Sequence, residues 1–259
     1  MKEFLSFYKT AGGNEGEKCH YSTRLDTYGC GCTHNCKYCY AKSLLSFRGL
    51  WDAQNPAVAD IEKIRKTIKQ IPAGTVIRLG GMTDCFQPCE EKYGVTYETI
   101  KALNEAQIEY LIVTKSALIA QERYLKVLDK RLAHIQVTVT TLEDKVALAY
   151  ENASPPSERI KAILKLQEEG YDVAIRLSPY IPSLMDEKRL SGLGIDKAIV
   201  EFLRVNSWVR KWFKIDYSQY SKYQNGYHHL PLARKLQYIE NLKGFKEISV
   251  CEDCDDDFL

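Results

Sequence analysis

The chain has 259 residues, of which 45% are apolar, and a formal net charge of +2. This composition is typical of a soluble globular protein with a hydrophobic core, and the length suits one domain. No run of about 18 apolar residues occurs and the first ten residues lack a signal-peptide pattern, which predicts a cytoplasmic protein without a membrane partner. The nine cysteines are an odd number in a chain without an export signal, so metal or redox chemistry explains them better than disulfides.

The first part of the chain is predicted to be a loosely structured lead-in over residues 1–22. It contains the run Gly12-Gly13-Asn14-Glu15-Gly16, which forms helices and strands poorly. Residues 22–28 are predicted to form a short strand that leads into a loop rich in glycine and cysteine.

Three cysteines of that loop, Cys32, Cys36 and Cys39, have the spacing Cys-x3-Cys-x2-Cys. Thiolates are soft ligands that hold iron–sulfur clusters or zinc. A structural zinc site is closed by four protein ligands, whereas a cluster held by three cysteines leaves one iron open. The spacing alone leaves two alternatives open: a zinc knuckle completed by His34 or Cys30, or plain buried thiols.

The same spacing, with Tyr38 just before the third cysteine, resembles the signature of the radical S-adenosylmethionine (radical SAM) enzymes. The wider run Gly31 to Ala41 is similar to the branch that includes spore photoproduct lyase. The resemblance implies a [4Fe–4S] cluster on Cys32, Cys36 and Cys39, with SAM bound at the open iron and in contact with Tyr38. It further implies reductive cleavage of SAM to a 5′-deoxyadenosyl radical that abstracts hydrogen from a substrate, and an electron donor such as flavodoxin or ferredoxin.

Beyond the loop, helices and strands alternate along the chain. Pro56 is predicted to open a helix through Ile71, because apolar residues recur at three- and four-residue spacing on one face. The other predicted helices cover residues 96–107, 121–132, 157–169 and 186–191, and the predicted strands cover 75–79, 109–114, 135–141, 171–178 and 197–203.

Six strands that alternate with helices favour parallel pairing and an α/β fold. The pattern does not separate an open doubly wound sheet from a partial barrel. The resemblance implies a partial (β/α)6 TIM-like barrel over residues 23–203. In either arrangement ligands are expected at the carboxyl ends of the strands.

The second of these strands ends in Gly80-Gly81, and paired glycines either form a simple turn or let a ligand approach the backbone closely. By resemblance, this pair matches the Gly-Gly-Glu element that contacts the amino group of the methionine moiety of SAM. The chain departs from that element because Met82 stands where the acid is expected, and Asp84 is the candidate replacement.

Further candidate SAM contacts follow the next strands. The resemblance assigns Lys115 and Ser116 to the methionine carboxylate, with a solvated lysine as the alternative. Thr140 is the candidate for a ribose contact, although threonine is also simply favoured in strands. Arg176 lies in an apolar strand, so it is expected to meet a ligand carboxylate or phosphate or to form an internal salt bridge.

Residues 204–259 are predicted to form a helical, aromatic extension that caps the substrate side. Between Arg204 and Lys246 nine Lys and Arg oppose two acids, and aromatic residues are interleaved with them. This pattern suits a nucleic-acid or phosphorylated substrate, or else a cap whose aromatic residues close the barrel. A final helix over residues 231–242 and a strand over 247–250 are also predicted.

Two further cysteine pairs, Cys85-x3-Cys89 and Cys251-x2-Cys254, could together form a second metal site, either an iron–sulfur cluster or zinc. One of them could instead donate a hydrogen atom, or all could be buried thiols. For the whole protein, the alternative to a radical SAM enzyme is a non-catalytic zinc- or nucleic-acid-binding module that uses the same cysteines.

Overall fold

A computed structural model describes residues 4–9, 21 and 23–251. The strands are Phe7–Lys9 (β1), Thr23–Leu25 (β2), Tyr28–Gly29 (β3), Ala57–Val58 (β4), Val76–Leu79 (β5), Glu109–Thr114 (β6), Ala133–Thr138 (β7), Asp172–Tyr180 (β8), Lys197–Phe202 (β9), Lys222–Gln224 (β10), Tyr227–His229 (β11) and Glu247–Val250 (β12). The α-helices are Tyr40–Phe47 (α1), Ile61–Ile68 (α2), Cys89–Tyr93 (α3), Val95–Glu105 (α4), Glu122–Leu125 (α5), Asp144–Leu148 (α6), Pro156–Glu168 (α7), Glu187–Ser191 (α8), Ser207–Trp212 (α9) and Leu232–Asn241 (α10).

The main sheet has the strand order β1-β2-β5-β6-β7-β8-β9-β12. Neighbours from β2 to β12 pair in parallel, and only β1 is antiparallel to its neighbour. Within the described residues the sheet ends at β1 and β12 and does not close. The predicted α/β fold with a partial TIM-like barrel is therefore confirmed.

At both ends the sheet extends beyond the predicted barrel of residues 23–203. Residues Phe7–Lys9, within the predicted lead-in, form β1 and pair with β2. The predicted strand over 22–28 is divided into β2 and β3, because Asp26 and Thr27 turn the chain away from the sheet and β3 pairs with β4. At the other end, β12 has the predicted bounds and joins β9. The glycine run at 12–16 lies outside the described residues, and the domain boundaries remain predictions.

Two predicted helices are wrong in extent. The helix predicted from Pro56 begins only at Ile61, because residues 57–58 pair with β3 and the Asp60 side chain caps the helix through the amides of Glu62 and Lys63. In place of the helix predicted over 121–132, a 3₁₀ turn, Ala117–Ala120, precedes the four-residue α5.

Alternate residues of the parallel strands point to different environments. Ile77 and Leu79 of β5, and Ile175 and Leu177 of β8, are fully buried in the apolar core. Arg78 and Arg176, which lie between them, line a cleft at the centre of the fold instead. The period of two along each strand thus separates an apolar face from a polar interior.

In the described part of the chain, no helix combines the length and the apolar character needed to cross a bilayer.

Candidate functional site

The cysteine loop connects β3 to α1 and is shaped by its own backbone. Gly31 packs against a neighbouring segment so closely that a Cβ atom there would lie 1.8 Å from the carbonyl oxygen of Asp52. Turns follow, in which the amide of Asn35 donates to the Cys32 oxygen at 3.0 Å and that of Cys39 to the Cys36 oxygen at 3.3 Å.

The last cysteine of the loop also begins the helix. Cys39 caps α1, and its Sγ accepts a hydrogen bond from the Lys42 amide at 3.4 Å. A thiol that caps a helix is fixed in direction by the backbone that follows it.

Cys32, Cys36 and Cys39 all line the central cleft, whereas Cys30 of the same loop does not. The cleft encloses about 1280 Å³ free of protein atoms, including the space open to solvent at its mouth. All three are free cysteines. Burial raises the pKa of the Cys36 thiol to about 12, so metal binding would release its proton.

The donor set fits a cluster better than a single ion. Among the residues that the structure describes, no three His, Cys, Asp or Glu side chains converge on one point as a zinc ion would require. A [4Fe–4S] cluster places each cysteine on a different iron atom, so its ligands do not have to converge. Cys32, Cys36 and Cys39, free and facing one cleft, have the chemistry that such a cluster needs.

The loop rests on the segment that follows α6. The Lys37 amide donates to the Tyr150 oxygen at 2.9 Å, and the Asn152 amide donates to the His34 oxygen at 2.7 Å. The ammonium of Lys37 also donates to the Ala149 oxygen at 2.7 Å. Protein contacts therefore fix this loop on both sides of Cys36.

Tyr38 lines the cleft, but its hydroxyl points beneath the loop and donates to Glu151. Glu151 in turn pairs with Arg159, and both side chains are fully buried. Thr140 does not line the cleft. Its hydroxyl lies 2.9 Å from that of Tyr150 and 3.4 Å from the Glu151 carboxylate, so it belongs to the buried group beneath the loop. The threonine that does line the cleft is Thr138.

The Gly80-Gly81 loop is held by Asp26, which the sequence analysis did not single out. The Asp26 carboxylate accepts the amides of Gly81 at 2.8 Å and Met82 at 3.0 Å, and the hydroxyl of Tyr8 at 3.0 Å. Burial raises the pKa of Asp26 to about 6, against these hydrogen bonds, which lower it. An isolated aspartate after a strand has no motif, so only the fold reveals this role.

Both glycines of the loop are required for different reasons. Gly80 has φ +80°, in the left-handed region that L side chains rarely adopt. A Cβ on Gly81 would lie 1.9 Å from the Tyr8 hydroxyl. The Gly81 carbonyl accepts from the Tyr40 hydroxyl at 2.5 Å, which ties the loop to the start of α1.

Asp84 lines the cleft and braces the loops around it. Its carboxylate accepts the Thr114 hydroxyl and the Lys115 amide, each at 2.7 Å, and lies 3.3 Å from the His34 ring. Although burial raises the pKa of Asp84, the neighbouring His34 and these hydrogen bonds lower it to about 2. Asp84 thus joins the cysteine loop to the ends of β5 and β6.

The run from Thr83 to Glu90 continues this bracing. The buried Gln87 accepts the Thr33 amide at 3.0 Å. Glu90, fully buried, accepts the hydroxyls of Tyr28 and Tyr124 and two amides at the start of α4. These polar residues hold the cysteine loop against the fold.

Lys115 and Ser116, predicted together, separate in the structure. Lys115 lines the cleft, and its ammonium lies 5.7 Å from the centre of the Tyr38 ring. The ammonium makes no hydrogen bond or ion pair within the described part of the chain. Ser116 lies outside the cleft lining and accepts the Leu118 amide at the start of a 3₁₀ turn.

Arg176 lines the cleft as one partner of an internal ion pair. It donates to Glu201 at 2.6 Å, to the side-chain oxygen of Gln136 at 2.7 Å, and to the Cys251 thiol at 3.5 Å. Burial raises the pKa of Glu201, but Arg176 and Arg204 lower it to about 2. The internal salt bridge named as one possibility for Arg176 is therefore present.

The family model of the radical SAM superfamily matches residues 27–190. The chain belongs to the radical SAM superfamily. The matched range contains the cysteine loop and the strand ends that line the cleft, and it confirms the family predicted from the spacing of the cysteines.

Curated relatives of this radical SAM chain share moderate similarity. An uncharacterized protein of Methanocaldococcus jannaschii is 29% identical over 167 residues, covering 62% of each chain. An uncharacterized protein of Acidianus two-tailed virus is 26% identical over 196 residues, covering 67% of this chain and 64% of that protein. The chain thus spans less than two thirds of the length of these relatives.

Solved radical SAM structures share the fold at low identity. A spore photoproduct lyase variant with bound AdoMet and dinucleoside spore photoproduct is 14% identical, with a TM-score of 0.67 over 95% of this chain and 79% of that one. SuiB of Streptococcus suis bound to S-adenosylmethionine is 13% identical, with a TM-score of 0.56 over 91% and 52% of the two chains.

The C-terminal residues contribute both to the core and to the cleft. The ring centre of Phe213 lies 5.8 Å from that of Tyr38 and 5.2 Å from that of Tyr150. This contact packs the C-terminal residues beneath the cysteine loop. Arg204 and Tyr227 line the same cleft as the cysteines. Both predicted readings of the segment, a cap and a ligand-facing surface, therefore find residues that suit them.

The second metal site remains a prediction. Cys85 is fully buried, Cys251 contacts Arg176, and Cys254 lies outside the described residues.

Proposed function

We propose that the chain binds a [4Fe–4S] cluster through Cys32, Cys36 and Cys39, and SAM in the adjoining cleft, and catalyses a radical reaction. The observation that carries this proposal is that these thiols line the same cleft as Gly80-Gly81 and Lys115. When bound, the reduced cluster supplies the electron that cleaves SAM to methionine and a 5′-deoxyadenosyl radical.

The residues around the cleft would orient SAM. The Lys115 ammonium, which makes no hydrogen bond or ion pair in the described chain, would balance the methionine carboxylate. Asp26 fixes the loop of Gly80 and Gly81, against which the amino group of the methionine moiety would lie. Because the cleft lies within the fold, it would also keep water away from a reactive intermediate.

The buried pair Glu151–Arg159 would keep the cluster loop rigid. Glu151 accepts from Tyr38 and Arg159, so the residue between the second and third cysteines is anchored from below. A ligand loop held by its supporting contacts presents its thiols in fixed directions before the cluster binds.

The proposal is tested by anaerobic purification and reconstitution of the full chain. Iron, sulfide and zinc are quantified, and 5′-deoxyadenosine release from SAM is measured with dithionite as the reductant. The Cys36→Ala variant is expected to lose both iron and SAM cleavage. Cys30→Ala is the matched control, since Cys30 lies in the same loop but outside the cleft lining, and it should retain both.

Two results would overturn this assignment. Zinc without iron would favour the non-catalytic zinc-binding module. A chain that binds iron but does not cleave SAM would contradict the proposal that it is a radical SAM enzyme.

For the substrate, we infer a nucleic acid or nucleotide that enters beside Arg204 and Tyr227. Arg78, Arg176 and Arg204 all line the cleft, and Arg176 and Arg204 both pair with Glu201 there. Arginine side chains suit an anionic group, and the aromatic ring of Tyr227 suits a base. The similar spore photoproduct lyase was solved with a dinucleoside.

Oligonucleotide binding, followed by fluorescence anisotropy, tests this substrate class. Arg204→Gln should weaken binding about tenfold and reduce its salt dependence. The exposed Arg234, on α10, provides the matched control Arg234→Gln. Equal affinities of the wild type and Arg204→Gln would argue against this substrate class.

A further inference from the structure

Helix α1 buries its small residues and exposes its large apolar ones. Ala41 and Ser43 face the interior. Leu44 is 40% exposed, Phe47 is 78% exposed, and Leu50, just beyond the helix, is 48% exposed. Leu44, Phe47 and Leu50 are called the α1 surface below. Clustered exposed apolar side chains on a folded protein mark a contact surface more often than isolated ones do.

The α1 surface belongs to the helix that begins at the proposed cluster site. Cys39 caps the helix, and Tyr40 and Ala41 in its first turn line the cleft. Since a helical turn rises about 5.4 Å, Leu44 is little more than one turn from the Cys39 thiol along the axis. A partner bound at this surface would approach the cluster from outside without entering the substrate cleft.

The segments next to the α1 surface carry several positive charges. Residues 27–51 contain Lys37, Lys42 and Arg48 but no Asp or Glu. Helix α9, which contacts α1, adds the exposed Arg210 and Lys211. A partner that fits here would combine an apolar contact with a negatively charged rim.

We propose that the α1 surface is the docking site of a small acidic one-electron carrier protein that reduces the cluster. This inference rests on the proposed function. One electron passes from the reduced carrier to the oxidised cluster, no bond forms or breaks, and the carrier leaves oxidised by one electron. The α1 surface combines one ring, that of Phe47, with two aliphatic side chains, and such an apolar contact inside a charged rim suits a protein partner.

The test compares two reductants on the reconstituted enzyme. SAM cleavage is measured with dithionite and with reduced flavodoxin as the probe, for the wild type and for the double variant Leu44→Glu, Phe47→Glu. The flavodoxin concentration for half-maximal rate is expected to rise at least tenfold, while the dithionite rate stays unchanged. The matched control is Leu236→Glu, an exposed leucine on α10, which should leave both rates unchanged.

Three outcomes would overturn the docking site. The first is a double variant whose flavodoxin concentration for half-maximal rate equals that of the wild type. A fall in both the melting temperature and the dithionite rate would mean that a segment of the chain itself covers the surface. Binding of the wild type to anionic lipid vesicles that the double variant loses, with unchanged flavodoxin kinetics, would assign the surface to a membrane.

The proposed function can fail separately. If the wild type does not cleave SAM with dithionite, titration of flavodoxin into the protein by calorimetry still decides the docking site. Binding to the wild type that the double variant loses would support the site, and no binding to the wild type would overturn it.

Discussion

Lys115 is the clearest ligand-facing charge of the cleft. Its ammonium lies over the Tyr38 ring and forms no ion pair within the described residues. A positive charge that faces a cleft and has no protein carboxylate as its partner is available for an anionic ligand group.

Removing that charge should therefore weaken SAM binding. We expect Lys115→Gln to raise the KM for SAM by about 10- to 100-fold, because a hydrogen bond to a charged group contributes about 1.5–3 kcal/mol. The measurement is 5′-deoxyadenosine release at varied SAM concentration. Lys101→Gln, on the exposed side of α4, serves as the control. Equal KM values for the two variants would show that Lys115 does not bind SAM.

Asp26 holds the Gly80-Gly81 loop without lining the cleft itself. We expect Asp26→Asn to raise the KM for SAM about tenfold with little change in kcat, because an amide cannot accept two backbone amides and a hydroxyl as a carboxylate does. Asp60 also accepts two backbone amides, but at the start of α2 and outside the cleft lining, so Asp60→Asn is the matched control. A loss of stability in Asp26→Asn with an unchanged KM would make Asp26 purely structural.

At the scale of elements, Glu90 joins α3 and α4 to the strand before the cysteine loop. The carboxylate accepts Tyr28 at 2.5 Å, Tyr124 at 2.8 Å and the Thr96 amide at 2.8 Å. Its polar character therefore reflects the assembly of the fold and not contact with SAM.

Truncating Glu90 should destabilise the fold. We expect Glu90→Ala to lower the free energy of unfolding by about 3 kcal/mol or more, since several buried donors lose their acceptor at once. Urea denaturation of the metal-free chain measures this, with the exposed neighbour Glu91→Ala as the control. A similar small effect in both variants would contradict the bracing role.

The elements also show what the sequence could and could not predict. The bounds of β6 and β12 were predicted because their apolar, β-branched runs are set locally. The start of α2 was not predicted. It depends on the pairing of β4 with β3, which is distant in sequence, and on the Asp60 cap, which is a single side chain.

The same limit applies at the site. The cysteines were singled out by their spacing and Gly80-Gly81 by the resemblance, whereas the contacts of Asp26 depend on the approach of two loops that are distant in sequence. The position of Thr140 outside the cleft lining has a related cause. β7 ends at Thr138, so the chain turns before Thr140 and carries it under the cysteine loop.

At the scale of the whole molecule, charged residues join four strands at the edge opposite the cleft. His134 lies 2.7 Å from Asp172 and 3.2 Å from Glu109, and Lys197 lies 2.7 Å from Asp172. Hydrogen bonding to Asp172 raises the pKa of His134 against the effect of burial. These residues come from β6, β7, β8 and β9.

This arrangement predicts a pH dependence of stability. Because the pKa of His134 is raised in the folded state, its contribution is fully present below its ordinary value of 6.5 and is lost as pH rises through the folded-state pKa. We expect the loss to be at most about 1 kcal/mol, since the side chain is 38% exposed. Urea denaturation between pH 6 and 9 measures it, and His134→Gln should abolish that part of the slope. A slope that persists in His134→Gln would assign the effect to another group.

The contacts beneath the cysteine loop bear on how the protein would survive oxygen. Tyr38, Lys37 and His34 are tied to residues 149–152 by hydrogen bonds that involve no metal. We expect a loop held by such contacts to keep its shape without iron. We therefore expect oxidative damage to leave an intact, folded receptor that can be reloaded with iron and sulfide, so that inactivation in air is reversible without new protein synthesis.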